Sequence, residues 1–160
     1  MSTSDELPNL TGRCHCGKVE FSVHSGKVLF NHLCHCKNCS RARSVSPVHI
    51  LGVPTGSLAF SNGSEEFLKV TGGYAGIMEF ASCSACHCGV YQCPKGANFV
   101  ALFPTTFQVS QGEKGCKLPP YLLPVAHINY ENRAMDWTDD LPKFEVWPEG
   151  KVLNNDGSLK

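Results

Sequence analysis

Seven of the ten cysteines in this 160-residue chain fall in three tight clusters: Cys14-His15-Cys16-Gly17, Cys34-His35-Cys36-Lys37-Asn38-Cys39 and Cys83-Ser84-Ala85-Cys86. Thiolates one or two residues apart on a tight turn can both reach one ion at ~2.3 Å without strain, and a pair of such knuckles closes a tetrahedron of sulfur around zinc. An iron–sulfur cluster also takes four cysteines, but its usual runs have other spacings. An isolated cysteine is commonly buried as a small hydrophobe, and a disulfide scaffold belongs to an oxidising compartment. Clusters lying beside glycine and polar residues fit neither description.

Counting ligands produces an asymmetry. Cys14, Cys16, Cys83 and Cys86 suffice for one four-sulfur site, which leaves Cys34, Cys36 and Cys39 as a set of three. Three protein ligands with one open position is the pattern of a catalytic zinc. Spacing equally allows Cys14 and Cys16 to join Cys34 and Cys36 on one ion, so arithmetic leaves the pairing open.

The elements that must position these thiols read as short strands. Over Lys18-Val19-Glu20-Phe21-Ser22-Val23-His24 the apolar residues alternate, with Val19, Phe21 and Val23 on one face, the period of a half-buried strand. Similar runs at 28–33, 45–51, 57–60, 66–71, 77–81, 90–92, 99–103, 126–129 and 144–147 are separated by turn pieces such as Thr-Gly-Gly-Tyr-Ala-Gly. Fifteen glycines and ten prolines leave no long apolar stretch at helical spacing, so any helix is expected to be short, near Pro119–Leu123. The expectation is one all-β domain, with residues 1–11 a loose leader and 149–160 a polar tail.

The totals narrow the function. A chain of this length buries roughly 70% of the surface it would expose unfolded, enough for one proper core. Lysine plus arginine equals aspartate plus glutamate, fourteen each, so no broad field draws nucleic acid or an anionic membrane. The first thirteen residues lack a basic start and an apolar stretch, and no apolar run approaches the ~20 residues that span a bilayer. A soluble, cytoplasmic protein is expected.

The chain resembles the glutathione-dependent formaldehyde-activating enzyme family, also called the GFA or centromere-protein-V-like domain. The resemblance rests on Gly12-Arg13-Cys14-His15-Cys16-Gly17-Lys18-Val19, on Cys34-His35-Cys36 with Cys39, and on Phe80 followed by Cys83-Ser84-Ala85-Cys86. A late segment, His127-Ile128-Asn129-Tyr130-Glu131-Asn132-Arg133 through Trp137 and Leu141-Pro142-Lys143-Phe144, also looks like the family's closing region, so that the likeness spans residues 12–148. It implies an Mss4-like fold of small antiparallel sheets with zinc-binding knuckles. It also supplies the pairing: Cys14, Cys16, Cys83 and Cys86 hold a structural zinc, and Cys34, Cys36 and Cys39 hold a catalytic one, giving two zincs per chain.

The chain departs from the family pattern in several places, His87 and Ser44 among them, which stand where glycine is usual. A slipped register with Cys88-Gly89 as the Cys-Gly pair is the alternative at the first; Tyr91-Gln92, at the expected distance, favours Cys86. Ser44 is read as a change in the substrate pocket.

The implied reaction is that of a carbon–sulfur lyase, in which a glutathione-like thiolate adds reversibly to an aldehyde. Lys37, Arg41 and Arg43 are candidates for binding its carboxylates. His35 is a candidate proton carrier or turn-shaping donor, and His87 a ligand, a donor to a thiolate, or a surface residue. Cys88, Cys93 and Cys116 read as buried thiols, while Tyr130, Arg133 and Trp137 read as packing. The alternatives are a non-catalytic zinc-binding interaction module, and a zinc enzyme of secondary metabolism acting on a larger aromatic or carbonyl substrate without glutathione.

Overall fold

The structure is a computed structural model, and it describes residues 6–110 and 117–160. In chain order the strands are β1 (Glu6–Leu7), β2 (Leu10–Arg13), β3 (Glu20–Val23), β4 (Gly26–Lys27), β5 (Phe30–Cys34), β6 (Val48–Pro54), β7 (Leu58–Phe60), β8 (Leu68–Gly72), β9 (Met78–Cys83), β10 (Gly89–Pro94), β11 (Phe99–Leu102), β12 (Ala126–Ile128), β13 (Lys143–Phe144) and β14 (Val152–Leu153). Among the described residues one α-helix is present, α1 (Lys37–Arg43), with short 3-10 turns elsewhere. The fold is all-β, as the alternating runs require. Among the described residues no helix is long and apolar enough to cross a membrane.

The chain forms two units, Met1–Phe30 with Leu51–Leu123, and Asn31–Ile50 with Pro124–Lys160. In the first, β2, β3 and β7 make a small antiparallel sheet in which Gly12 faces Phe21. A Cβ at Gly12 would collide with the Phe21 ring, so glycine is required there by close approach. Phe21 also meets Phe60 and Phe107 edge-on, at centroid separations of 6.5 and 5.9 Å. The later strands run β11, β10, β9, β8 as antiparallel neighbours, with Leu51–Pro54 of β6 paired to β11. The core between these elements holds Val19, Phe21, Leu51, Val90, Leu102, Phe107 and Leu122.

The second unit is built around β5. It pairs in parallel with β12, placing Ile128 opposite Cys34, and β12 continues to β13 and then to β14. The antiparallel sheets implied by the family resemblance do not extend to this pairing, and runs of three to five residues carry no signal of strand direction that would announce it.

Three local readings change. Leu7 and Leu10 are buried and β1 pairs with β4, so paired structure begins ahead of Gly12; residues 1–5 lie outside the described residues. The stretch expected to be a polar tail holds β14, with Leu153 buried. Pro120–Leu122 is a 3-10 turn, and the α-helix lies at Lys37–Arg43 instead. That helix buries only Cys39, so its sequence, Lys-Asn-Cys-Ser-Arg-Ala-Arg, has no apolar stripe to announce it.

Candidate metal centres

The first cluster is made by two knuckles of the first unit. After β2 the chain turns back at once: the Gly17 N–H donates to the Cys14 carbonyl, and the Cys14 N–H to the Val19 carbonyl. Gly17 takes a φ of 78°, which an L side chain tolerates poorly. The second knuckle closes in the same way, with the His87 N–H donating to the Cys83 carbonyl. His87 has a φ of 59°, so the usual glycine at this place is explained by backbone conformation and not by metal chemistry.

These turns gather Cys14, Cys16, Cys83 and Cys86 so that their sulfurs all lie within 4.8 Å of one another. Cys14 Sγ and Cys16 Sγ are 3.6 Å apart, and Cys16 Sγ and Cys83 Sγ are 3.8 Å apart. A tetrahedron with ~2.3 Å metal–sulfur bonds has edges of about 3.8 Å, which these two separations match. Among the described residues Cys88 and His87 belong to neither cluster. Cys88 directs its thiol at the Gly89 carbonyl, and Cys93 is buried in the core. Cys116 lies outside the described residues.

The thiols of this cluster differ in acidity. Despite partial burial, N–H groups of Cys88 and Cys16 bring Cys86 down to about 6. A bond from Lys18 lowers Cys16, but burial and the Cys86, Cys14 and Cys83 thiols outweigh it and push Cys16 up to about 11. Four sulfurs this close shed all their protons only against a cation.

The second cluster belongs to the second unit. Cys34 ends β5, Cys36 is the N-cap of α1, and Cys39 sits in its first turn. Cys36 Sγ accepts the Cys39 N–H at 3.3 Å, the place normally taken by a serine or aspartate oxygen. The helix ends at Ser44 in the left-handed conformation, its N–H returned to the Ser40 carbonyl. Ser44 therefore takes, at a helix C-cap, the left-handed conformation for which glycine is usual. Arg41 and Arg43 lie in the last turn, where positive charge complements the helix dipole.

Cys34, Cys36 and Cys39 have sulfurs within 4.8 Å of one another, and the described residues add no fourth cysteine, histidine or carboxylate to the group. The Cys34–Cys39 separation is 3.8 Å, a tetrahedral edge, whereas Cys36 and Cys39 are drawn to 2.8 Å and would open to admit an ion. Bonds from the Cys34 and Cys39 thiols, joined by the N–H groups of Cys39 and Asn38, bring Cys36 down to about 3, while the Cys36 and Cys39 thiols and burial push Cys34 upward. The three thiols that the sequence sets apart from the other four lie together.

Sequence reasoning did not find what lies behind these thiols. Asn129, at a φ of 53°, directs its Nδ2 toward Cys34 Sγ at 3.8 Å. His35 Nε2 is 2.8 Å from His127 Nδ1, His127 Nε2 is 2.9 Å from Asp139 Oδ2, and Lys143 Nζ donates to Asp139 Oδ1 at 2.7 Å. His35, His127 and Lys143 are each no more than 2% exposed. Burial, followed by the neighbouring His127 and Arg133, holds His35 down at about 4, so its imidazole is neutral near pH 7. Tyr130 packs against both imidazoles, accepts the Trp137 N–H and donates to the Asn155 carbonyl. A cleft of about 630 Å³ is lined by Asp139, Lys143, Leu153 and Asp156 among others, and does not include the thiols. Lys37 and Arg41 are exposed at the helix surface.

A sequence profile of the family described as glutathione-dependent formaldehyde-activating enzyme matches residues 9–119. That range holds all seven clustered cysteines and ends before His127, short of the closing region included in the resemblance. No curated protein matches the chain. Among solved structures, a Rhodobacter sphaeroides protein is similar with a TM-score of 0.50 and 17% identity, over 61% of this chain and 87% of that one, a likeness of fold.

Proposed function

Because the chain belongs to the glutathione-dependent formaldehyde-activating enzyme family, we propose that it is a zinc-dependent carbon–sulfur lyase acting on a glutathione–carbonyl adduct of the S-hydroxymethylglutathione type. The observation that supports this reading best is the inequality of the two clusters: one offers four thiols and the other three. The first is complete and structural. The second has a coordination position to spare.

A zinc ion held by Cys34, Cys36 and Cys39 would be left net anionic, a poor generator of hydroxide but a good holder of a substrate thiolate at its fourth position. In the forward direction the thiolate sulfur bonds to the aldehyde carbon, the C=O π pair moves to oxygen, and oxygen takes a proton. The reverse breaks the C–S bond and releases the carbonyl.

The chain's own residues do the rest. Cys36 Sγ holds α1 in place through the Cys39 N–H, which keeps the three sulfurs converged. The Asn129 amide donates toward Cys34 and steadies its negative charge. Lys37 and Arg41 present cations at the exposed face of the same helix, suited to the carboxylates of glutathione. Cysteines kept as thiols fit a reducing, cytoplasmic setting.

Magnetisation-transfer NMR with glutathione and formaldehyde tests the proposal. Metal-loaded protein should accelerate adduct exchange above the spontaneous rate, and Cys36→Ser should return it to that rate with the fold intact. Acceleration that survives Cys36→Ser, or its absence from protein carrying two metals per chain, would overturn it.

A further inference from the structure

Strand pairing decides which side chains share a face with the three thiols. His32 and Cys34 are two residues apart on β5, so both point to one face of the sheet, about 7 Å from each other along the strand. Their partners on β12, Ala126 and Ile128, belong to that face too. The opposite face carries His127 and Lys143, paired with each other and only 0 and 2% exposed.

Trp147 reaches the Cys34 face from two directions. Its ring meets the His32 ring edge-on, at a centroid separation of 6.1 Å. Its chain neighbour Val146 accepts the Asn129 N–H at 2.8 Å, and Asn129 is the residue whose amide approaches Cys34 Sγ. Asn129 lies one residue beyond Ile128, which stands opposite Cys34, whereas His32 lies two residues before Cys34. A side chain rooted beyond Cys34 that meets a ring rooted before it passes alongside Cys34. Ala126, opposite His32, is small enough to let it do so. Yet Trp147 is 42% exposed and Val146 41%. Single exposed apolar residues are ordinary on a protein surface; this one is set apart by flanking a buried thiol of the open site.

We propose that Trp147 is a specificity-determining residue of the three-thiol site, its indole forming a wall for the substituent on the carbonyl carbon of an adduct held at Cys34, Cys36 and Cys39. The substrate class is then the glutathione adduct of an aldehyde bearing an aromatic or extended apolar group. This rests on the lyase reading and names the aldehyde that it serves. The carbonyl carbon is one bond from the sulfur, so its substituent lies against whatever flanks the thiols. Formaldehyde has only hydrogen there and gains nothing from an indole. A phenyl ring packs edge-on or offset against it and is withdrawn from water.

Calorimetric titration of zinc-loaded protein with S-benzylglutathione and S-methylglutathione reads the wall apart from the chemistry, since the two differ only in the group on the sulfur-bound carbon. Native protein should bind the benzyl compound roughly five- to thirtyfold more tightly. Trp147→Ala should bring the two affinities to within about twofold at unchanged zinc content, and Trp147→Phe should retain most of the preference. In exchange measurements on the same samples, Trp147→Ala should lower the ratio of kcat/KM for the phenylacetaldehyde adduct to that for the formaldehyde adduct by a similar factor.

Equal affinities in native protein, or a preference that survives Trp147→Ala, overturn this inference and leave the lyase reading standing wherever the formaldehyde adduct still exchanges. A Trp147-dependent preference in protein that carries two metals and exchanges neither adduct overturns the lyase reading, and the substrate role of Trp147 with it. Should Trp147→Ala fail to fold, nuclear Overhauser effects between the benzyl and Trp147 indole protons of the native complex decide instead, and their absence overturns the wall.

Discussion

At the scale of single residues, two side chains occupy backbone conformations that ask for glycine. Ser44 has a φ of 54° and His87 a φ of 59°. A Cβ in the left-handed region costs about 1 kcal/mol, partly offset by the greater freedom of glycine in the unfolded chain. Ser44→Gly and His87→Gly should each raise stability by roughly 0.5–1 kcal/mol in urea denaturation of metal-loaded protein; a loss of stability would show that these side chains hold something. His49 predicts a pH dependence. Burial holds it down at about 4, while its Nε2 lies 2.7 Å from Asn31 Oδ1. The folded chain binds fewer protons than the unfolded one between that value and ~6.5. This contribution is complete above ~6.5 and is lost as the pH falls toward 4, with a slope of at most about 1.4 kcal/mol per pH unit. His49→Gln keeps a donor for Asn31 and should lessen the slope of stability against pH over that window, to which His35 also contributes. A slope identical to native would refute the assignment.

At the scale of elements, α1 is capped by the same atom that the proposed function makes a metal ligand, Cys36 Sγ. Cys36→Ser retains an acceptor for the Cys39 N–H and Cys36→Ala does not. Both should lose one metal equivalent by elemental analysis, and only the alanine variant should lose a further ~1 kcal/mol measured in the metal-free chains. Equal losses would mean the cap contributes nothing. The same helix marks where sequence reasoning stops. β3 could be read because Phe21 and Val23 alternate with polar residues and are buried as that pattern requires. α1 could not, because its order comes from a thiol cap and a left-handed terminus and not from an apolar face. The seven thiols were legible by type and spacing. The line from His35 to His127 was not, since it joins residues 92 apart through a parallel pairing that short strands do not encode.

At the scale of the whole molecule, the chain passes through part of its first unit, makes the smaller part of the second, returns, and completes the second only from Pro124 onward. The core residues Phe21, Leu51, Leu102 and Phe107 and the four-thiol cluster all precede that point. Cys34, in contrast, lies on a strand whose partner β12 follows it. A chain ending at Leu123 should therefore stay folded and hold one metal by elemental analysis, where the full chain holds two. Retention of both metals would show that β12 is dispensable to the three-thiol site.

The parallel ladder between β5 and β12 also bears on inheritance and engineering. The three thiols and the side chains of the neighbouring strand segment are carried by stretches more than eighty residues apart, His127 and Asn129 being on the later one. Recombination near Pro124 would exchange the second group while leaving the first untouched. Chimeras crossed there offer a direct way to give one metal-binding frame new substrate preferences, each by a single graft.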